Sequence, residues 1–114
     1  MGEDVLASGD AERALSIFDQ LAEMAPEHHA VVSGRVQGVF FRASTREVAI
    51  RHGVHGFVRN LPGRELEAVL QGERPALERV VAFMREGPPG AVVSDLALEW
   101  RNPGERYEGF RVLY

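Results

Sequence analysis

The stretch SGRVQGVFFR, residues 33–42, connects a short apolar strand to a helix, and it organises the fold that we expect. The segment before it, HAVVSGR at residues 29–35, is typical of a strand. The segment that follows, RASTREVAIRH at residues 42–52, is typical of a helix. The connection contains Gly34 and Gly38, which can both adopt positive φ angles. It therefore holds more glycine than a plain turn requires.

The helix at residues 42–52 is expected to bury Ala43, Val48 and either Ala49 or Ile50. Ser44 and Glu47 have the spacing of a capping box, which favours a helix that starts after Arg42. The glycine-rich connection favours an earlier start. The sequence leaves these two boundaries open.

Further along the chain, residues 54–60 and 65–72 are predicted to form a hairpin. Between them, Leu61-Pro62-Gly63-Arg64 fits a type II turn, with Pro in the second place and Gly in the third. A second helix is predicted at residues 73–87, with Gly87 at its end and strands at 91–100 and 107–114 after it. Its buried stripe is expected to contain Leu77, Val80, Val81 and Met84.

The resulting order is βαββαβ with an extra short C-terminal strand. This order predicts an α+β fold of the ferredoxin-like kind, an antiparallel sheet with two helices on one face. A chain of 114 residues with 45% apolar residues fits one such body. We divide the chain into an acidic helical extension at 1–27 and a body at 28–114.

The extension is distinguished by its charge. Residues 1–27 contain seven acidic residues and one arginine, whereas residues 28–114 contain ten acidic residues and twelve arginines. Residues 10–25 are predicted to form an amphipathic helix. Two interpretations stay open: the extension is a real helix that docks on the sheet or on another subunit, or translation starts at Met24.

Composition excludes several kinds of chemistry. The chain has no cysteine and no lysine, which rules out thiolate catalysis, cysteine metal sites and Schiff-base or Walker-type lysines. No apolar run reaches the length of a membrane span, and the start has no signal-peptide pattern. We therefore expect a cytoplasmic protein, a monomer that binds neither membranes nor nucleic acid, although the extension could mediate self-association.

The stretch at residues 33–42 also has the properties of an anion site. A strand, a glycine-containing loop and a helix start can direct several backbone N–H groups toward one phosphate. Arg42 can then bind two phosphate oxygens with its guanidinium. An ordinary glycine-rich corner with a surface arginine is the alternative, and glycines alone favour it.

Two motifs add a family resemblance. GRVQGVFFR resembles the G-x-V-Q-G-V-x-[FY]-R signature of the acylphosphatases, and GFVRN, ending at Asn60, resembles their second motif. Gly72 and the segments at 85–100 and 107–114 are also similar to that family. The hairpin departs from it, because the family usually has glycine where this chain has Arg64. That difference concerns the loop just after Asn60.

The resemblance implies a hydrolase that cleaves the carboxyl–phosphate bond of small acyl phosphates without a metal or other cofactor. Arg42 corresponds to the arginine that binds the substrate phosphate, and Asn60 to the asparagine that orients the attacking water. The phosphate-binding loop corresponds to Arg35, Val36, Gln37, Gly38, Val39, Phe40, Phe41 and Arg42. Within it, we expect Gln37 to fix the loop, Val39 and Phe41 to join the core, and Phe40 to be partly exposed.

The alternative function is a non-catalytic ferredoxin-like module that binds an anion or RNA. An RNA-binding module would have exposed aromatic residues on central strands and a basic face. Arg59 could steer an anionic substrate, but a solvated strand position is the default interpretation. Glu65 and Glu67 are likewise expected on a solvated strand face, and no histidine has metal-ligand spacing.

Overall fold

The computed structural model describes residues 27–103 and 105–114, which form a five-stranded sheet and two helices. The predicted ferredoxin-like order and the extra C-terminal strand are confirmed. The expected helix at residues 10–25 lies outside the described residues, as does the extension up to residue 26. The elements, in chain order, are β1 (Glu27–Arg35), α1 (Phe41–Arg51), β2 (His55–Leu61), β3 (Glu65–Gln71), α2 (Arg74–Glu86), β4 (Val92–Arg101) and β5 (Phe110–Leu113).

The strands lie in the order β4-β1-β3-β2-β5. The pairings β1–β3, β1–β4 and β2–β3 are antiparallel, as predicted. The pairing of β2 with β5 is parallel, so the sheet is mixed rather than wholly antiparallel. The reason is topological: β4 ends at the same end of the sheet at which β2 begins. The chain crosses that end between β4 and β5, and β5 then runs alongside β2.

Both helices pack on one face of the sheet, where the core lies. Strand residues that alternate toward this face are fully buried, among them Val32, Val58, Leu66 and Ala68. The predicted buried stripe of α2 is confirmed in full: Leu77, Val80, Val81 and Met84. In the described part of the chain, no helix is both long and apolar enough to cross a membrane.

The start of α1 differs in part from the prediction. The helix begins at Phe41, and the Ser44 backbone N–H donates to the Phe40 carbonyl at 2.9 Å, so Ser44 lies inside the first turn rather than at the cap. Ala43 is exposed, contrary to expectation, while Thr45 and Ala49 are buried. The buried stripe repeats at intervals of four residues from Phe41, and Ala43 is exposed because it lies on the other side of the helix.

The β2–β3 hairpin contains two residues with positive φ. Gly63 has φ 81°, which agrees with the third place of the predicted type II turn. Arg64, the next residue, has φ 63°. The backbone is thus left-handed at Arg64, although glycine is the residue that tolerates this conformation best.

Candidate functional site

The loop between β1 and α1 is held from behind by apolar side chains. Val36 and Phe41 are each 1% exposed, and Val39 is half-buried against the core, as expected for Val39 and Phe41. Phe40 is 82% exposed, more than the partial exposure expected of it. Gly38 and Phe40 both have positive φ, at 76° and 61°. The buried side chains of Val36 and Phe41 therefore anchor the two ends of the loop, and two residues between them have positive φ.

Gly34 does not have the role predicted for it. Its backbone N–H donates to the Arg64 carbonyl at 3.3 Å, so it is not free for an anion. A Cβ at this position would lie 2.2 Å from the Val92 carbonyl oxygen of β4. The pairing of β1 with β4 shifts register between Ser33 and Gly34, which identifies a bulge. Gly34 therefore permits close strand packing, and Gly38 is the glycine that shapes the loop.

The loop has backbone N–H groups without protein partners. Ser44 is the first residue of the α1 region whose N–H donates to a backbone carbonyl, that of Phe40. Among residues 27–103 and 105–114, no hydrogen-bond acceptor meets the N–H groups of residues 37–41. The first turn of a helix leaves such donors free, and they carry partial positive charge. This segment can therefore donate several hydrogen bonds to one anion.

The side chain of Gln37 connects the loop to the hairpin. Its Nε2 donates to the Leu61 carbonyl at 2.8 Å and to the Glu65 carbonyl at 2.9 Å. These carbonyls lie on either side of the turn that follows Asn60. Gln37 thus fixes the loop, as the sequence predicted for it, and it holds the loop beside the end of β2.

Arg42 is held by the C-terminal strand. Its Nη1 donates to the Leu113 carbonyl at 3.2 Å, and its guanidinium lies 4.7 Å from the centre of the Tyr114 ring. The side chain is half-buried, and within the part of the chain that the structure describes its other N–H groups meet no acceptor. The sequence did not indicate this support, because nothing in the spacing of residues 107–114 relates them to Arg42.

Asn60 lies on the face of β2 that packs against the helices. It pairs with the buried Leu66 and follows Val58 by two residues on the same face. Its Oδ1 is buried and has no hydrogen-bond partner among the described residues. A buried acceptor without a partner costs about 1–3 kcal/mol, so a site that supplies a water or substrate donor here is favoured.

The loop and Arg42 are each linked to a neighbour of Asn60. Arg59, next to Asn60, pairs with Leu113 across β2 and β5, and the Leu113 carbonyl holds Arg42. The Gln37 side chain brings the loop to Leu61, the other neighbour of Asn60. The loop is thus tied to one neighbour of Asn60, and Arg42 to the strand residue that pairs with the other neighbour.

Arg59 and Glu67 lie on the opposite face of the sheet. Arg59 Nε lies 2.6 Å from Glu67 Oε1, and His29 Nε2 lies 2.6 Å from Glu67 Oε2. Burial raises the pKa of Glu67, but hydrogen bonds from His29 and Arg59 outweigh it and hold that pKa below its ordinary value. The prediction of a solvated Glu67 is wrong, since its side chain is only 14% exposed. Arg59 is likewise paired and does not face the loop.

Comparisons with known proteins agree with this arrangement. The sequence model of the acylphosphatase family matches residues 28–112. An acylphosphatase from Pyrobaculum islandicum is 45% identical over 86 residues, which are 75% of this chain and 90% of that protein. The corresponding protein from Pyrobaculum arsenaticum is 49% identical over the same length and the same shares of both chains.

Solved structures give the same result for the fold. An acylphosphatase from Bacillus subtilis superposes with a TM-score of 0.74 at 28% identity, covering 77% of this chain and 98% of that one. An acylphosphatase from Coxiella burnetii superposes with a TM-score of 0.73 at 40% identity, covering 80% and 95%. The similarity thus extends over nearly the whole body.

Proposed function

The chain belongs to the acylphosphatase family, and we propose that residues 35–42 and Asn60 form the site at which it hydrolyses acyl phosphates. The reaction converts an acyl phosphate and water to a carboxylate and inorganic phosphate. The substrate is a small molecule. Each part of the site has a separate task, and the tasks follow from the contacts described above.

The loop and Arg42 bind the phosphoryl group. The unpaired N–H groups of residues 37–41 donate to its oxygens, and the Arg42 guanidinium adds a charged contact. Because Leu113 and Tyr114 hold the guanidinium before substrate arrives, little side-chain entropy is lost on binding. Such preorganised donors stabilise the charge that spreads over the phosphoryl oxygens in the transition state.

Asn60 orients the attacking water. Its buried Oδ1 can accept a hydrogen bond from the water, which leaves an oxygen lone pair directed at phosphorus. The water then attacks in line, opposite the departing carboxylate. A carboxylate is a good leaving group and needs little help from a general acid. Positioning of the water and stabilisation of the charge on the phosphoryl oxygens therefore account for the rate enhancement that we propose for this site.

The observation that carries this proposal is the unpartnered Oδ1 of Asn60 beside a loop with unpartnered N–H groups. An acceptor for water and donors for phosphate therefore belong to two segments that the Gln37 side chain ties together, and hydrolysis needs both. The RNA-binding alternative lacks its platform: β1 and β3, the central strands, contain no Phe, Tyr or Trp. Phe57 on β2 is contacted by Tyr107, with ring centres 5.5 Å apart.

Hydrolysis of benzoyl phosphate by the purified chain tests the proposal. We expect turnover in the wild type and a loss of about 100–1,000-fold or more in kcat/KM for Arg42→Gln, the range for loss of one preorganised donor. Arg79→Gln is the matched control, because Arg79 is an exposed arginine on α2. No turnover in the wild type, or equal turnover in Arg42→Gln, would contradict the assignment.

We further propose that the body at 28–114 works as a monomer in the cytoplasm. Support comes from the site itself, in which the loop, Arg42 and Asn60 all belong to one chain. The lack of cysteine suits a reducing compartment. Light scattering on the full chain and on a chain starting at Met24 tests the role of the extension: a dimer only in the longer chain would assign self-association to it.

A further inference from the structure

A groove lies between α2 and the edge strand β4, away from the loop and from Asn60. It has a volume of about 440 Å³, within the range of about 300–1,000 Å³ in which small-molecule sites fall. Apolar side chains make up much of its lining, as in most such sites. The lining residues are His28, Arg74, Glu78, Val81, Ala82, Arg85, Leu98 and Trp100.

His28 is a buried polar residue without a partner in this groove. The side chain is 4% exposed, and neither Nδ1 nor Nε2 has a hydrogen-bond partner in the described part of the chain. The Trp100 ring covers it, with ring centres 3.9 Å apart. Because Trp100 is 44% exposed on an edge strand, rotation of its side chain would open the imidazole to a bound molecule.

The charges along the groove favour an anion. Arg74 and Arg85 both line it, and within the described residues neither makes an ion pair. The Arg74 guanidinium lies 4.9 Å from the centre of the Trp100 ring, at the end where His28 is buried. Among the described residues that line the groove, Glu78 is the one carboxylate, so two cationic groups face one anionic group.

We propose that this groove is a second binding site, for a small organic anion with an aromatic or other apolar body. The anionic group would bind Arg74, the body would pack on Val81, Leu98 and Trp100, and a polar atom would reach a nitrogen of His28. Burial lowers the pKa of His28, with a further contribution from Arg74, so the neutral ring offers one N–H donor and one acceptor. The site goes beyond acyl phosphate hydrolysis and is spatially separate from it.

The fluorescence of Trp100 provides a direct test, because Trp100 is the single tryptophan of the chain. Titration of the full chain with phenylacetate, which does not absorb at the excitation wavelength of tryptophan, should give a saturable change. Arg74→Gln should weaken the apparent Kd about tenfold, the loss expected for one charged hydrogen bond. His28→Phe keeps a ring beneath Trp100 but removes both nitrogens, and it should weaken binding about fivefold.

Two control variants separate this site from the catalytic one. Arg79→Gln removes the same charge from the same helix outside the groove and should leave the Kd unchanged. Arg42→Gln should also leave it unchanged, even though turnover is lost. A change that does not saturate, a Kd that is the same in Arg74→Gln as in the wild type, or loss of binding in Arg42→Gln would each overturn the proposal.

Discussion

The two helices of the body begin in different ways, although neither has a side-chain cap or an acidic residue in its first turn. Before α1, Gly38 and Phe40 both have positive φ, and Gln37 ties the segment to the hairpin. Before α2, Glu73 has an extended backbone and Pro75 occupies the first turn, which removes one N–H donor. Among the described residues, the start of α1 therefore presents a longer uninterrupted run of unpaired N–H groups than the start of α2.

This difference separates the proposed phosphate site from an ordinary helix start. The loop ahead of α1 has two residues with positive φ, and Arg42 in the first turn of α1 is held by β5. At the start of α2, the Arg74 guanidinium instead lies over the Trp100 ring. Four predictions test whether these surroundings, rather than the helices, determine function.

The largest effect is expected at Asn60, the amide that we propose to act together with the loop before α1. Asn60→Ala should lower kcat for benzoyl phosphate about 100-fold or more, since the water loses its positioning group. Inhibition by inorganic phosphate should change less than threefold or so, because the loop and Arg42 are intact. Steady-state kinetics with phosphate as inhibitor measures both. Full activity in this variant would remove the water-positioning role.

Gly38 precedes α1 and Gly72 precedes α2, so an alanine substitution at each position can be compared. Gly38→Ala places a Cβ at φ 76° and should cost about 1–2 kcal/mol of stability, with phosphate binding weakened several-fold as the loop relaxes. At Gly72 a Cβ would only reach ordinary contact, 3.6 Å from Leu77 Cδ2, so Gly72→Ala should be near neutral. Urea unfolding and phosphate inhibition measure both variants, and equal effects would contradict the distinction.

Arg64 lies in the hairpin that Gln37 links to the loop before α1. Its backbone is strained, and a glycine substitution would relieve that strain. Arg64→Gly should raise the free energy of unfolding by about 1 kcal/mol, because glycine accepts the positive φ of this position. Arg64→Ala removes the same side chain but keeps the strain, and it should match the wild type. Thermal unfolding compares the three proteins. If both variants change the free energy of unfolding equally, loss of the arginine side chain rather than relief of backbone strain explains the change.

The smallest effect is a pH dependence near the start of α2. Burial, and then Arg74, lowers the pKa of His28 below 6.5, while Glu78 raises it less. The unfolded chain then binds more protons, so stability decreases as the pH falls from 6.5 toward the lowered folded pKa. His28→Phe should reduce this loss between pH 7 and pH 5. Unfolding curves at both pH values measure it, and an unchanged slope would contradict the assignment.

Most features that depend on the spacing of apolar residues were predicted correctly from the sequence. The element order and the buried stripe of α2 are confirmed, because apolar spacing specifies which side of a helix or strand is buried. The grouping of the loop, Arg42 and Asn60 was implied by motif resemblance, and it stays a proposal that rests on the contacts of Gln37 with the hairpin and of Arg42 with β5. The boundary of α1 was left open because a capping-box spacing competed with the loop.

What the sequence did not reveal depends on contacts between distant segments. Gly34 looks like Gly38 in the sequence, yet one packs against β4 and the other lies in open space. Glu67 alternates with core residues and so looked solvated, but His29 and Arg59 come from two other strands to bind it. Strand pairing decides these environments, and no local pattern encodes the identity of a cross-strand neighbour.

The bond between Arg42 and Leu113 joins residues that are 71 positions apart. It can form only after β5 has docked beside β2, and closing so long a loop is among the slower steps for a small domain. A partly folded chain could form β1, the loop and α1 and still leave the guanidinium unanchored. Recovery of turnover during refolding should therefore lag behind recovery of helix content, which makes enzymatic activity a late reporter of complete folding.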